Sequence, residues 1–172
     1  AGVAGLMGNL YSESGLKSNN LQNSGNNKLC LTDEQYTEKV DSGEYSREQF
    51  INDKQGYGLA QHTYWSRKQS LYDYMKSRGA SIGCTKTQLD FIMLELKSYV
   101  TVIDILRKTN SVKEASDIVL LQYEKPADQS DVVKNRRAAF GENIFNKYCN
   151  NKHIDKEAQT DIKVGDIVKL KE

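Results

Sequence analysis

The chain has 172 residues, 24 of them Lys or Arg and 23 Asp or Glu, for a formal net charge of +1. That length supports one domain with a real core and a short extra piece. The near-zero charge leaves no strong field for DNA, RNA or an acidic membrane, and no apolar run is long enough to span a bilayer. Three scattered cysteines, Cys30, Cys84 and Cys149, suggest neither a disulfide framework nor a zinc site and read as free thiols. No metal-ligand cluster or phosphate-binding glycine loop stands out, so neither a metal nor a cofactor is expected.

In chain order, Val3, Leu6, Met7 and Leu10 fall at helical spacing and predict a helix over residues 1–12. Gly2, Gly5 and Gly8 each cost about 1 kcal/mol against alanine in a helix. Such a helix holds only where another backbone presses against it. The opening AGVAGLMGNL has no basic leader and no cap residue, as expected of a piece of a longer protein. Residues 18–28 are polar and read as a loop.

Four capping boxes then announce helix starts: Thr32 with Gln35, Ser46 with Gln49, Thr85 with Gln88, and Ser111 with Glu114. Tyr64, Lys68, Leu71, Tyr72 and Met75 predict a helix to Ser77, with the lysine stem as part of its face and Gly79 as its stop. Leu89, Ile92, Met93, Leu96 and Val100 give the cleanest helical stripe. Ala115, Ile118 and Val119 carry another up to Pro126, and Val133, Phe140, Ile144 and Tyr148 mark a last long one. Residues 53–63, with Gly56 and Gly58, break the rhythm as a turn or small hairpin. Residues 1–150 thus form one domain. NNKHIDKEAQTD reads as a linker, and the alternation in IKVGDIVKL as the first strand of a following SH3-like or wall-binding module within residues 151–172.

Two stretches carry chemistry. In GNLYSESGLK, Glu13 falls at the edge of the apolar stripe and at the C-terminal end of its helix. Partial burial and the negative helix end both disfavour an ionised acid there, as a glycosidase needs of its proton donor. A solvated glutamate at a frayed helix end has the same spacing. In GYGLAQHTYW, two glycines around Tyr57 let a backbone or a sugar come close. Gln61 can donate and accept hydrogen bonds, and Tyr57, Tyr64 and Trp65 offer flat faces for pyranose rings. A hairpin with core aromatics reads equally from these residues.

Together, a helix ending in Glu-Ser followed by Gly-aromatic-Gly-Leu-x-Gln resembles goose-type lysozymes and soluble lytic transglycosylases. GLMGNLYSESGLKSNNLQN, GYGLAQHTYWSRKQSLYDY and QYEKP, in that order over residues 1–148, more specifically resemble the phage tail lysozyme family. The resemblance implies a mainly α, lysozyme-like α+β fold with a small β-hairpin or irregular lobe and an active-site cleft. It implies a peptidoglycan-cleaving glycosidase acting between N-acetylmuramic acid and N-acetylglucosamine, or a lytic transglycosylase giving 1,6-anhydro products, in a virion tail or at the cell wall. Its partners would be glycan strands and other domains of a longer tail or wall-lytic protein.

Residue by residue, the family pattern implies Glu13 as general acid, with Ser14 beside it near the cleft and Gln61 on the cleft floor. His62 stands where the family usually has tryptophan, and Thr63 where related enzymes carry an acid; with Tyr64 both would line the sugar site. Tyr123 and Glu124 match a late helix that closes the site from behind, although Glu124 could be an ordinary helix-end acid beside Lys125. Asp53 is the candidate base for water; as a turn acid capping neighbouring N–H groups it would serve structure instead. Two other classes stay open: a Cys/His peptidase or amidase joining Cys30 or Cys84 to His62 or His153, and a catalytically inactive glycan-binding tail module.

Overall fold

Helix α1 (Gly2–Ser14) is the axis around which the C-terminal half is built. A computed structural model describes residues 1–150; the linker and strand expected beyond Asn150 lie outside the described residues. The glycine stripe of α1 is where other backbones approach. A Cβ on Gly2 would run into the Leu106 carbonyl, one on Gly5 would lie 2.7 Å from the Ser116 nitrogen, and one on Gly8 would lie 2.5 Å from the Arg137 carbonyl. The helical cost of these glycines is offset by packing that no side chain would permit. Gly15 ends α1 in the left-handed region, its N–H bonded to Tyr11 O at 2.8 Å.

The remaining helices are α2 (Asn23–Leu29), α3 (Asp33–Ser42), α4 (Arg47–Asn52), α5 (Trp65–Ser77), α6 (Thr85–Leu96), α7 (Val100–Lys108), α8 (Val112–Ile118) and α9 (Asp131–Phe145). A π-helical turn, Val119–Glu124, prolongs α8, and another, Asn146–Asn150, prolongs α9. Helices α8 and α9 pack on α1 and on each other. No described helix is long and apolar enough to cross a membrane.

Two apolar clusters fill the molecule. One gathers Leu21, Tyr36, Phe50, Tyr57, Leu71 and Phe91; the other gathers Leu6, Leu10, Leu59, Ile92, Leu96 and Val119. Helix α6 feeds both, through Phe91 on one side and Ile92 on the other. So does the glycine-rich turn, through Tyr57 and Leu59. That turn is therefore the seam between two lobes.

Several expectations need correction. Residues 18–28 are not all loop, since α2 occupies Asn23–Leu29. The hairpin reduces to two isolated bridges, Leu21 with Tyr57 and Tyr57 with His62, and no strand forms among the described residues. The reason is local: Gly58 at φ 79° and Gln61 at φ 45° wind the chain into a closed turn before a ladder can extend. The boxes at Thr32 and Ser46 are complete and reciprocal, whereas Ser111 caps without the return bond. Thr85 is no cap at all. Its presumed partner Gln88 is buried and turns inward, donating to Ser18 O and Ile82 O at 2.6 Å each and accepting from Leu59 N at 2.9 Å. Buried carbonyls need donors, and that demand outweighs a surface cap. Lys68 lays down more than its stem: the whole side chain is buried.

Candidate active site

Glu13 lies in the last turn of α1 with its side chain about one-fifth exposed, at 21%. Arg137 reaches it from α9, donating from Nη2 to Glu13 Oε1 at 2.5 Å and from Nη1 to Asn9 Oδ1 at 3.2 Å. Asn9 in turn donates to Gly5 O and Ser116 O, both at 3.0 Å. This polar string crosses α1, α8 and α9 through the contacts that the glycines permit. The next residue, Ser14, is buried and shares its hydroxyl proton between Leu10 O and Leu59 O, at 3.1 and 3.0 Å. That bond fastens the acid-bearing end of α1 to the glycine-rich turn. Ser14 is thus a clamp, not an exposed cleft residue.

Within the turn, the Gln61 amide donates to Asn20 O, Asn20 Oδ1 and Gly58 O at 2.9–3.1 Å. Thr63 bonds back to Gln61 O at 2.9 Å. The predicted stacking platform Tyr57 is wholly buried, and its hydroxyl shares a 2.6 Å hydrogen bond with Thr37 Oγ1. It cannot meet a sugar, because an aromatic ring at the seam of two clusters gains more from apolar burial than from solvent. Tyr64 and Trp65 are the exposed pair, at 63% and 51%, with ring centroids 5.9 Å apart.

His62 is also buried, so a direct sugar contact is excluded by packing. Its Nε2 donates to Glu95 Oε2 at 2.9 Å, and its ring lies against Phe91. Arg67 forks onto both Glu95 oxygens at 3.0 Å, and the Tyr123 hydroxyl donates to Oε2 at 2.6 Å. Burial works against the Glu95 charge, but the hydrogen bonds from His62 and Arg67 outweigh it and hold this carboxyl at about 2. Burial pushes His62 down and the Tyr123 phenol up. Tyr123 is thus an anchor inside the wall, not a surface contact. Glu124, beside it, has one carboxyl oxygen sealed from solvent without a hydrogen-bond partner. Burial, reinforced by the charge of Glu13, pushes Glu124 up to about 8.

Asp53 does not suit a water-activating base. Its carboxylate accepts from Lys68 Nζ and Tyr36 OH at 2.5 Å each, from Gln55 N at 2.8 Å and from Tyr45 OH at 3.5 Å. With a side chain 5% exposed against a fully buried lysine, both oxygens are committed to holding α3, α4 and α5 together. Among the described residues His62 does not pair with a cysteine: its Nε2 is held by Glu95, Cys84 Sγ accepts from Thr87 Oγ1, and Cys30 Sγ donates to Asn27 O. His153 lies outside the described residues.

Sequence reasoning missed Arg137, Asn9, Glu95 and Arg67. Arg137 left a trace, because it falls four residues from both Val133 and Gly141 on the buried face of α9. Glu95 and Arg67 left none, each being one charged residue among many on a helix.

A mainly helical chain whose first helix ends in a half-buried glutamate, with the next residue, Ser14, bonded to a glycine-rich turn, is consistent with the lysozyme-like class. The phage tail lysozyme family matches residues 1–148, and the chain belongs to that family. Neither a curated protein nor a solved structure matches it. Family membership brings a lysozyme-like, peptidoglycan-degrading role.

Proposed function

We propose that the chain is a muramidase-type glycosidase in which Glu13 is the general acid. A proton on its carboxyl passes to the oxygen linking N-acetylmuramic acid to N-acetylglucosamine. The C1–O bond then breaks, with its electron pair leaving on that oxygen. The observation that carries this reading is the half-buried Glu13, fixed between Arg137 and the turn that Ser14 holds. Tyr64 and Trp65 supply the exposed rings on which an extended glycan stacks. Gln61 shapes the turn and, with Thr63, presents it to the strand. The setting is a phage tail tip or a related wall-crossing machine, acting locally on peptidoglycan and tethered to other domains.

The burial of Asp53 favours a second reading for the later step. With that carboxylate locked to Lys68, the acetamido oxygen of the substrate assists at C1. Either water or the muramyl 6-hydroxyl then completes the reaction, the latter giving a lytic transglycosylase. Glu13→Gln should lower the release of soluble fragments from purified walls by at least about 100-fold; retained lysis would remove the assignment. Mass spectrometry of wild-type digests separates the products: reducing muramic ends for a lysozyme, 1,6-anhydro ends for a transglycosylase. Glycan binding without either product would mean an inactive tail module.

A further inference from the structure

Three carboxyls, those of Glu13, Glu95 and Glu124, and two guanidiniums, those of Arg67 and Arg137, form one partly buried set of charges. Glu13 pairs with Arg137, and Glu95 takes both arms of Arg67. Glu124 comes last, at the end of the π-helical turn, and both arginines are already engaged when it arrives. Its Oε1 is sealed and has no hydrogen-bond partner. The turn leaves it little freedom: Tyr123 is anchored on Glu95, and Lys125 N–H closes the turn on Leu120 O at 2.9 Å. The charges that act on it are Glu13 from α1, Arg67 from α5, Glu95 from α6 and Arg137 from α9. Asp117 on α8 pairs with Lys113 through Oδ2 while its Oδ1 is also sealed without a partner, and Asp104 pairs with Lys108 on α7.

Three negative and two positive groups leave one charge uncompensated around a carboxyl oxygen that is sealed from water. One proton makes the cluster neutral, and the charge on Glu13 works against a second one on Glu124. We propose that Glu124 keeps this proton in the resting protein and passes it to Glu13 when a glycan strand draws Arg137 away from the Glu13 carboxylate. The Glu124 O–H bond breaks, an O–H bond forms on Glu13, and the negative charge moves to Glu124, where the released Arg137 can meet it. The transfer runs directly or across one water. Glu124 is a positioning residue in this scheme, acting on substrate only through Glu13. Its raised protonation range, near 8, agrees with the charge count.

The inference rests on Glu13 being the acid, but it is tested without relying on wall cleavage. Infrared titration of the free protein should show a carboxylic-acid carbonyl band that disappears with a midpoint near 8. The band should be missing in Glu124→Gln. In Glu13→Gln it should persist with its midpoint moved to lower pH, because the repelling charge is gone and Arg137 is free. A band lost in Glu13→Gln and kept in Glu124→Gln overturns the proposal, as does wild type with no such band at neutral pH. Wild type carries the midpoint itself, so a poorly folded variant does not remove the test. In wall digestion, Glu124→Gln should shift the alkaline limb of the pH–rate profile downward by about one unit or more. An unchanged profile, or an equal loss at every pH, contradicts a proton-holding role.

Discussion

Arg137 Nη2 meets Glu13 Oε1 at 2.5 Å across 124 residues of chain. The last long helix thereby sets the side chain that the first helix presents. The contact exists because Gly8 lets the Arg137 backbone come against α1. Removing the guanidinium leaves Glu13 half-buried without its partner and Asn9 Oδ1 without a donor. Arg137→Met should therefore cost about 2–4 kcal/mol in urea unfolding. In a Glu13→Gln background the same change should cost less by at least about 1 kcal/mol, because the two groups are coupled. Additive losses would mean that the pair contributes nothing as a pair.

The Asp53–Lys68 pair separates stability from catalysis. Asp53→Asn leaves a fully buried ammonium without its counter-charge and should cost about 3–5 kcal/mol. The double variant Asp53→Asn with Lys68→Met should recover part of that loss. Below its lowered melting temperature, Asp53→Asn should still cleave walls at a rate near wild type. A drop of about 100-fold or more in a folded variant would restore Asp53 as a catalytic base.

Local signals account for what was legible in the sequence. The glycine spacing of α1, the boxes at Thr32 and Ser46 and the stop at Gly79 are determined by residues a few positions apart, and they appear as expected. Where a residue answered to a distant partner, the local reading failed. Gln88 left its capping position to serve Leu59, Ser18 and Ile82. Tyr57 and His62 look like ligand contacts in a string of glycines, but they are buried because the turn joins two cores. The polar network behind Glu13 draws on α1, α5, α6, α8 and α9 at once, and no sequence spacing encodes such a meeting. Position 62 shows the same limit: a ring filling an apolar space also needs Glu95 to accept its proton, and nothing near it in the chain announces that partner.

Tyr64 and Trp65 remain exposed while the other aromatics of their segment are buried. If a glycan stacks there, Trp65→Ala should raise KM on soluble glycan strands about fivefold, corresponding to about 1 kcal/mol of lost ring contact. The rate at saturating substrate should hold, and unfolding free energy should change by less than about 1 kcal/mol. A large fall in stability with unchanged KM would assign Trp65 to packing instead.

The buried groups behind the site predict a stability maximum with separable flanks. Folded His62 stays neutral because burial lowers its pKa from 6.5, whereas the unfolded chain takes up a proton there. The unfolded state thus binds more protons below about 6.5, and stability falls as pH drops through that range. Glu95, held at about 2 when folded against 4.5 unfolded, adds a further loss as pH falls toward 2. Glu124 has the opposite sign. Its folded pKa is raised from 4.5 to about 8, so its contribution is complete below 4.5 and disappears as pH rises through about 8. Between about 4.5 and 6.5 the His62 and Glu124 slopes oppose each other, so urea midpoints measured against pH should form a plateau there and fall on either side of it. His62→Phe should replace the plateau between about 4.5 and 6.5 by a decline with rising pH, because the Glu124 slope is then unopposed. Glu124→Gln should flatten the alkaline flank, where the loss is on the order of a few kcal/mol. If Glu124→Gln keeps the alkaline slope of the wild type, the uncompensated charge in this cluster resides on another group.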